Sequence, residues 1–364
     1  MRKIRSIPPK SLRPLSGPIR ARASLMRVEL GLHCPPRSFS VLSVPGKIAP
    51  SSDGKAQLHS EAMSSRVRST GNFPEGYVPF RQVREELPDP ELYSVSDAVT
   101  LEALHLLGPE PAIVFIHGGL GSLWNPFPQL YTFRGEQGLL TYALAGNGGS
   151  SIRPEQTIEG HVADLKNLTD RLGIDRPLVH GHSYGTAIAI EYAKEHPCRG
   201  VMLHAGGDHD LTPPWEKPLL RLFLALRLYR VFPETAAMRA LARWAACHEE
   251  TPDGLVEDFL QSNPMPRRRS AWKTVTEAFW GYDGRPDIDR VEVPALVIHG
   301  PADRIVLMEV ARRTARRLPR GEFHSLDRSG PVATAERPAD YNRLPRPFLR
   351  VLSEEGTPHL TFLD

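Results

Sequence analysis

Cysteine is scarce in this 364-residue chain: Cys34, Cys198 and Cys247 are odd in number and far apart. That spacing excludes a disulfide framework and fits neither a CxxC pair nor a Cys/His metal cluster, so a reducing compartment is the simplest setting. Long apolar runs are missing as well. No stretch reaches the ~18 consecutive apolar residues that a membrane-spanning helix needs. The nearest, 219–232, is broken by Arg221, Arg227 and Arg230. It reads as an amphipathic helix covering the chain's own pocket, with docking on a membrane surface as the alternative. Acids are nearly absent from residues 1–60, which hold 11 Lys/Arg against 2 Asp/Glu, a net +9, whereas the remaining residues carry −6. The rest of the chain is therefore mildly acidic, and global charge gives no case for nucleic-acid binding. The run Arg267-Arg268-Arg269 and the arginines of 311–320 lack interleaved aromatics and read as solvated faces.

What is present is enough for a large fold. At 40% hydrophobic and 24% charged, the chain can bury one sizeable α/β core with an insertion, and disorder throughout is excluded. Residues 1–65 stand apart, rich in Arg, Ser and Pro. Their composition is that of a mitochondrial or plastid transit peptide, although Pro8, Pro9, Pro14 and Pro18 interrupt the helix an importer would want. A disordered basic tail, or a true start at Met63, are the alternatives. The expected location is cytoplasmic or organellar.

From Tyr77 onward short apolar runs alternate with helical stretches, the pattern of a mostly parallel sheet with helices on both faces. Ala112 to Ile116, Leu139 to Leu144, Leu178 to His180, Val201 to Leu203, Ala295 to Ile298 and Phe323 to Leu326 read as strands. Thr157 to Leu172 and Thr186 to Glu195 read as helices. The sequence implies a core of 77–206 and 290–352, with 207–289 as a helical cap, because that gap is far longer than a usual crossover. Trp215, Trp244, Trp272 and Trp280 within the gap suit an apolar lining for acyl or aromatic substrates.

The chemistry centres on Gly181-His182-Ser183-Tyr184-Gly185, a G-x-S-x-G pattern with an apolar strand before it and a helix at once after it. A serine there sits on a strand-to-helix turn, and bulkier residues than glycine at 181 and 185 would collide with neighbouring backbone. His117-Gly118-Gly119-Leu120-Gly121-Ser122 follows a strand, and His299-Gly300-Pro301-Ala302-Asp303-Arg304-Ile305-Val306 follows a later one. In this order the motifs resemble the α/β-hydrolase superfamily of the AB hydrolase-1 type, over roughly residues 77 to 352. The resemblance implies Ser183 as nucleophile, Asp303 as acid, and the backbone amides of Gly119 and Tyr184 as the oxyanion site. Within the superfamily, the elbow and the run Leu144-Ala145-Gly146-Asn147-Gly148-Gly149-Ser150-Ser151 most resemble the alpha/beta hydrolase domain-containing protein 8 group. Ala143 and Asn147 stand where many relatives carry Asp and His.

One expected residue is missing. The family's histidine follows the last strand, as a Gly-His pair shortly before Glu-x-Pro, and here that place reads Ser329-Gly330-Pro331-Val332 before Glu336-Arg337-Pro338. Proline has no ionisable group, and a serine hydroxyl is a poor nucleophile unless a positioned base takes its proton. His209 and His324 are the candidate substitutes, while His117 and His182 read as structural. Two functions stay open: an ester-type serine hydrolase acting on a small or acyl substrate, and a catalytically impaired binding or scaffold protein. Neither requires a metal or an organic cofactor, and either takes a small-molecule substrate or ligand.

Overall fold

A computed structural model describes residues 73–350, apart from 154 and 232–234. The expectations for residues 1–65 lie outside this range. Eight strands form one sheet: β1 (Glu91–Ser94), β2 (Thr100–Leu106), β3 (Ile113–Ile116), β4 (Leu139–Tyr142), β5 (Leu178–His182), β6 (Gly200–His204), β7 (Ala295–His299) and β8 (Gly321–Ser325). Their spatial order is β1-β2-β4-β3-β5-β6-β7-β8. From β4 to β8 every pairing is parallel, while β1 and β2 run antiparallel at one edge. The parallel strands β3 to β7 are almost wholly buried and apolar because helices cover both sides of them.

On one face pack α3 (Ile158–Leu172), α4 (Gly185–Glu195) and α9 (Met308–Arg317), with Val162, Leu165, Ile188, Ile190 and Ala311 meeting Val114, Val179, Leu203 and Val297. On the other lie α1 (Phe80–Glu86), α2 (Phe127–Phe133) and the short closing helices α10 (Ala333–Glu336), α11 (Pro338–Tyr341) and α12 (Arg346–Arg350). Phe80, Leu130, Tyr341 and Phe348 there meet Ile113, Phe115, Met202 and Ile298. The boundaries of α3 follow local chemistry: the Thr157 hydroxyl accepts from the Gly160 N–H at its start, and Gly173 takes a left-handed φ of 69° at its end.

Between β6 and β7 runs a helical insertion holding α5 (Glu216–Ala225), α6 (Ala236–Ala246), α7 (Asp253–Ser262), α8 (Arg269–Lys273) and a π-helical stretch, Thr274–Phe279. Two details differ from the sequence reading. Helix α5 has two apolar faces: one packs toward Leu120 and Trp272, and the other turns outward, so Leu219, Leu222 and Leu226 are exposed, which the reading of a single covering face did not anticipate. Trp215 and Trp244 are exposed too, and Trp272 is the buried member of the tryptophan set. A nearly continuous run of leucines marks a helix as apolar without saying which side meets water.

Candidate active site

Strand β5 stops at His182 and α4 starts at Gly185, so the chain turns within two residues. The turn places Ser183 at φ 49°, a left-handed conformation that non-glycine residues rarely adopt. The bend is held by the Ser183 N–H donating to the His204 carbonyl (2.8 Å) and by the Thr186 hydroxyl donating to the Ser183 carbonyl (2.7 Å). A Cβ on Gly181 would strike the Gly185 carbonyl, and one on Gly185 would come 2.5 Å from the Ile116 carbonyl oxygen. Both glycines are thus required by backbone crowding. Leu120, Ala205 and Arg328, each shortly after β3, β6 and β8, also have positive φ, so unfavourable backbone collects along the carboxyl edge of the sheet.

The loop after β3 lies against this turn. A Cβ built on Gly118 would sit 3.1 Å from the Ser183 Cβ, and one on Gly119 would sit 3.7 Å from the Tyr184 Cβ. The N–H groups of Gly119 and Tyr184 make no hydrogen bond among the described residues, which leaves two free donors beside the serine. Tyr184 is the cap residue of α4, where helix amides have no internal acceptor. His117 locks the loop: its Nδ1–H donates to the Gly118 carbonyl (2.7 Å), and its Nε2 accepts from the Leu144 N–H (3.0 Å). Val275, in the π-helical stretch, approaches so closely that a Cβ on Gly119 would meet its Cγ2 at 2.9 Å.

Asp303 is buried after β7. Its Oδ1 accepts from the N–H groups of Ile305 (2.8 Å) and Val306 (2.9 Å), but its buried Oδ2 has no hydrogen-bond partner. Burial raises its pKa from 3.8 to about 6, against the pull of those two amides. The 329–331 loop is wedged between the acid loop and the serine turn. The Ala302 N–H donates to the Ser329 carbonyl (2.9 Å), and His182 Nε2 donates to the Pro331 carbonyl (2.9 Å). Because a carbonyl can only accept, His182 carries its proton on Nε2 and leaves Nδ1 bare, buried and without a partner. Burial also pushes the His182 pKa down to about 4.

The candidate substitute bases are His209 and His324. His209 is half-buried, with Nδ1 2.7 Å from Oδ1 of the buried Asp208, whose other oxygen accepts from Arg317 (2.7 Å). His324 lies within the edge strand β8 beside Ile298 of β7, with Asp327 and Asp340 as the charges around it. Two further histidines escaped the sequence reading. His204 and His299 are fully buried, His204 with both ring nitrogens unpartnered, and burial lowers the pKa of each, for His299 against a backbone contact with Val306. The His204 ring is 5.0 Å from that of His182, and His299 Nε2 is 3.8 Å from Asp303 Oδ2, too far for a hydrogen bond. A sequence signal existed: β5, β6 and β7 each end in histidine, and the parallel register sets His182 beside His204, with His299 one residue further along β7.

A cavity of about 470 Å³ is lined by His248, Thr251, Arg328, Glu336 and Arg337, and another of about 330 Å³ by Ser122, Trp124, Gly148 and Gln261. Ser183 lines neither. Among the described residues no group of three His, Cys, Asp or Glu side chains could hold a metal ion.

Known proteins share this architecture. The chain is 29% identical over 196 residues to a 2-hydroxy-6-oxononadienedioate/2-hydroxy-6-oxononatrienedioate hydrolase of Dechloromonas aromatica, a match spanning 51% of this chain and 66% of that protein. It is 25% identical over 268 residues to a 2-hydroxy-6-oxo-6-phenylhexa-2,4-dienoate hydrolase of Burkholderia cepacia, spanning 66% and 88%. A thermophilic esterase from Thermogutta terrifontis has the same fold, with a TM-score of 0.63 at 21% identity over 72% of this chain and 98% of that one. The profile of the alpha/beta hydrolase family matches residues 113–344, from the first parallel strand through α11, and the chain belongs to that family.

Proposed function

We propose that the chain carries an ester-type serine hydrolase site from which the general base is missing. The observation that carries this reading is the left-handed Ser183, held at a cost on the order of 1–3 kcal/mol beside two unpaired amides. In this reading the Ser183 hydroxyl attacks a carbonyl carbon, and the charge passing to the carbonyl oxygen is received by the Gly119 and Tyr184 amides. The hydroxyl proton then needs an acceptor. By the resemblance the family's imidazole follows the last strand, and in this reading Pro331, which is buried, replaces it. His182 offers a bare Nδ1, but with a pKa of about 4 it is a weak base at neutral pH. Losing one member of a triad costs on the order of 10⁴ to 10⁶ in turnover, while oxyanion stabilisation and binding alone leave ~10³ over water.

The substrate in this reading is a small or acyl carbonyl compound, and the insertion of 207–289 acts as a cap on the core of 77–206 and 290–352. The likeness to the alpha/beta hydrolase domain-containing protein 8 group rests on the elbow and the 144–151 run alone. A second reading, a catalytically impaired binding or scaffold protein, is favoured by Oδ2 of Asp303, a buried carboxylate oxygen without a hydrogen-bond partner.

Fluorophosphonate labelling and cleavage of a short activated ester separate the two. The hydrolase reading expects slow labelling and cleavage by wild type, none by Ser183→Ala, and a gain of at least about a hundredfold with Pro331→His. If wild type does neither while Pro331→His does both, the chain is a binding protein with a dead site.

A further inference from the structure

Helix α5 buries Leu220, Phe223 and Leu224 against Tyr229, Trp272 and Leu120. Its remaining apolar residues follow another line. Trp215, Leu219, Leu222 and Leu226 are spaced 4, 3 and 4 apart, which puts them on one helical face, and they are 66%, 57%, 55% and 61% exposed. Past a left-handed Arg227 the row continues through Leu228 and Val231, both exposed. Isolated surface leucines are ordinary, but four large apolar side chains on one helical face, with two more exposed in the turn that follows, are the mark of an interaction surface.

Charge identifies what the surface fits. Residues 212–231 carry Lys217, Arg221, Arg227 and Arg230 against one acid, Glu216, in a chain whose residues beyond 60 are net negative. Lys217 is bound to Asp210 (2.8 Å), and the Arg221 guanidinium lies 5.3 Å from the Trp280 ring centre. Arg227 and Arg230 are exposed with no acid partner among the described residues. We propose that the outer face of α5 and the turn after it dock the protein peripherally on an anionic membrane surface, apolar side chains entering the headgroup boundary and Arg227 and Arg230 meeting lipid phosphates and carboxylates. A second copy of this chain fits less well, because a two-fold contact would set the basic patch against itself. The attachment is peripheral: no helix of the described residues is long and apolar enough to cross a bilayer.

The test is co-sedimentation of the full chain with phosphatidylserine–phosphatidylcholine vesicles and with phosphatidylcholine vesicles. Wild type is expected to pellet with the anionic vesicles and to be released by salt. Leu222→Ser with Leu226→Ser, and separately Arg227→Glu with Arg230→Glu, should each lower the partition coefficient on the order of tenfold. Circular dichroism and melting temperature should not change, since all four side chains are exposed. Failure of wild type to bind anionic vesicles overturns the proposal. So does wild-type binding by both double variants, which would assign attachment to the basic segment 1–60. A wild-type dimer in sedimentation equilibrium that the leucine variants disperse would give the face to a second copy and also overturn it.

Discussion

Asp303 has one oxygen occupied by two amides and the other left over in a buried place. Its ionisation is therefore unfavourable: the pKa rises to about 6 in the folded chain, so the stability it contributes falls as pH climbs from about 3.8 through 6. Asp303→Asn keeps an acceptor for Ile305 and Val306 and removes the buried charge. The variant is expected to be more stable than wild type at pH 7.5, by roughly 1–2 kcal/mol, with the gain vanishing near pH 4; urea unfolding at both pH values checks it. Turnover should be unchanged by the same substitution. Where an imidazole is oriented by the acid, the amide costs about 10⁴ in turnover, so a large loss would reveal a histidine paired with Asp303 in solution. That Ser183 lies on a strand-to-helix turn and Asp303 in the loop after a late strand was legible in the sequence, because glycines and turn residues punctuate the ends of apolar strands. The unpartnered Oδ2 of Asp303 was not legible there, because it depends on which side chains the fold brings beside the acid loop.

The Glu336 carboxylate joins the helical insertion to the loop that carries Pro331. Glu336, buried in α10, accepts from the His248 N–H (2.6 Å) and the Thr251 hydroxyl (2.5 Å) through Oε1, and from the Gly330 N–H (2.6 Å) through Oε2. Glu336→Ala strands three donors at once. It is expected to cost about 3–5 kcal/mol in chemical denaturation, with an unchanged dependence on denaturant concentration; a loss below 1 kcal/mol would mean that water replaces the carboxylate. Elements with a strong period were readable beforehand. The helix expected over 157–172 is α3, with Thr157 serving as its cap, and the strand that enters the serine turn is β5, two residues longer than its apolar run. The edge pair β1 and β2 was not, since β1 is mostly exposed and offers no apolar run. The outward face of α5 was hidden for the opposite reason, an excess of apolar residues around the whole helix.

The molecule as a whole stores several neutral histidines. His117, His161, His180 and His182 have pKa values pushed by burial to about 4, 3, 3 and 4, and those of His204 and His299 are lowered as well. An unfolded chain protonates them near 6.5, so their stabilising contribution is complete above that pH and is lost as pH falls toward 4. Asp164 and Asp303, raised to about 6, and Glu322 and Glu336, also raised, work in the opposite sense. The histidines are more numerous and more strongly shifted, so melting temperature is expected to drop steadily between pH 6.5 and 4.5; a flat or rising profile would show that some of these rings are protonated in the fold. By itself the sequence determined the α/β layering, the serine turn with its two glycines and the proline at 331, because each depends on residue type and on periodicity along the chain. Tertiary structure alone decided that Asp303 keeps an oxygen without a hydrogen-bond partner, that the rings of His182 and His204 lie 5.0 Å apart, and that α5 shows leucines to solvent. Those outcomes depend on which strands become neighbours and on which face of a doubly apolar helix finds a partner first, and neither is encoded in local spacing.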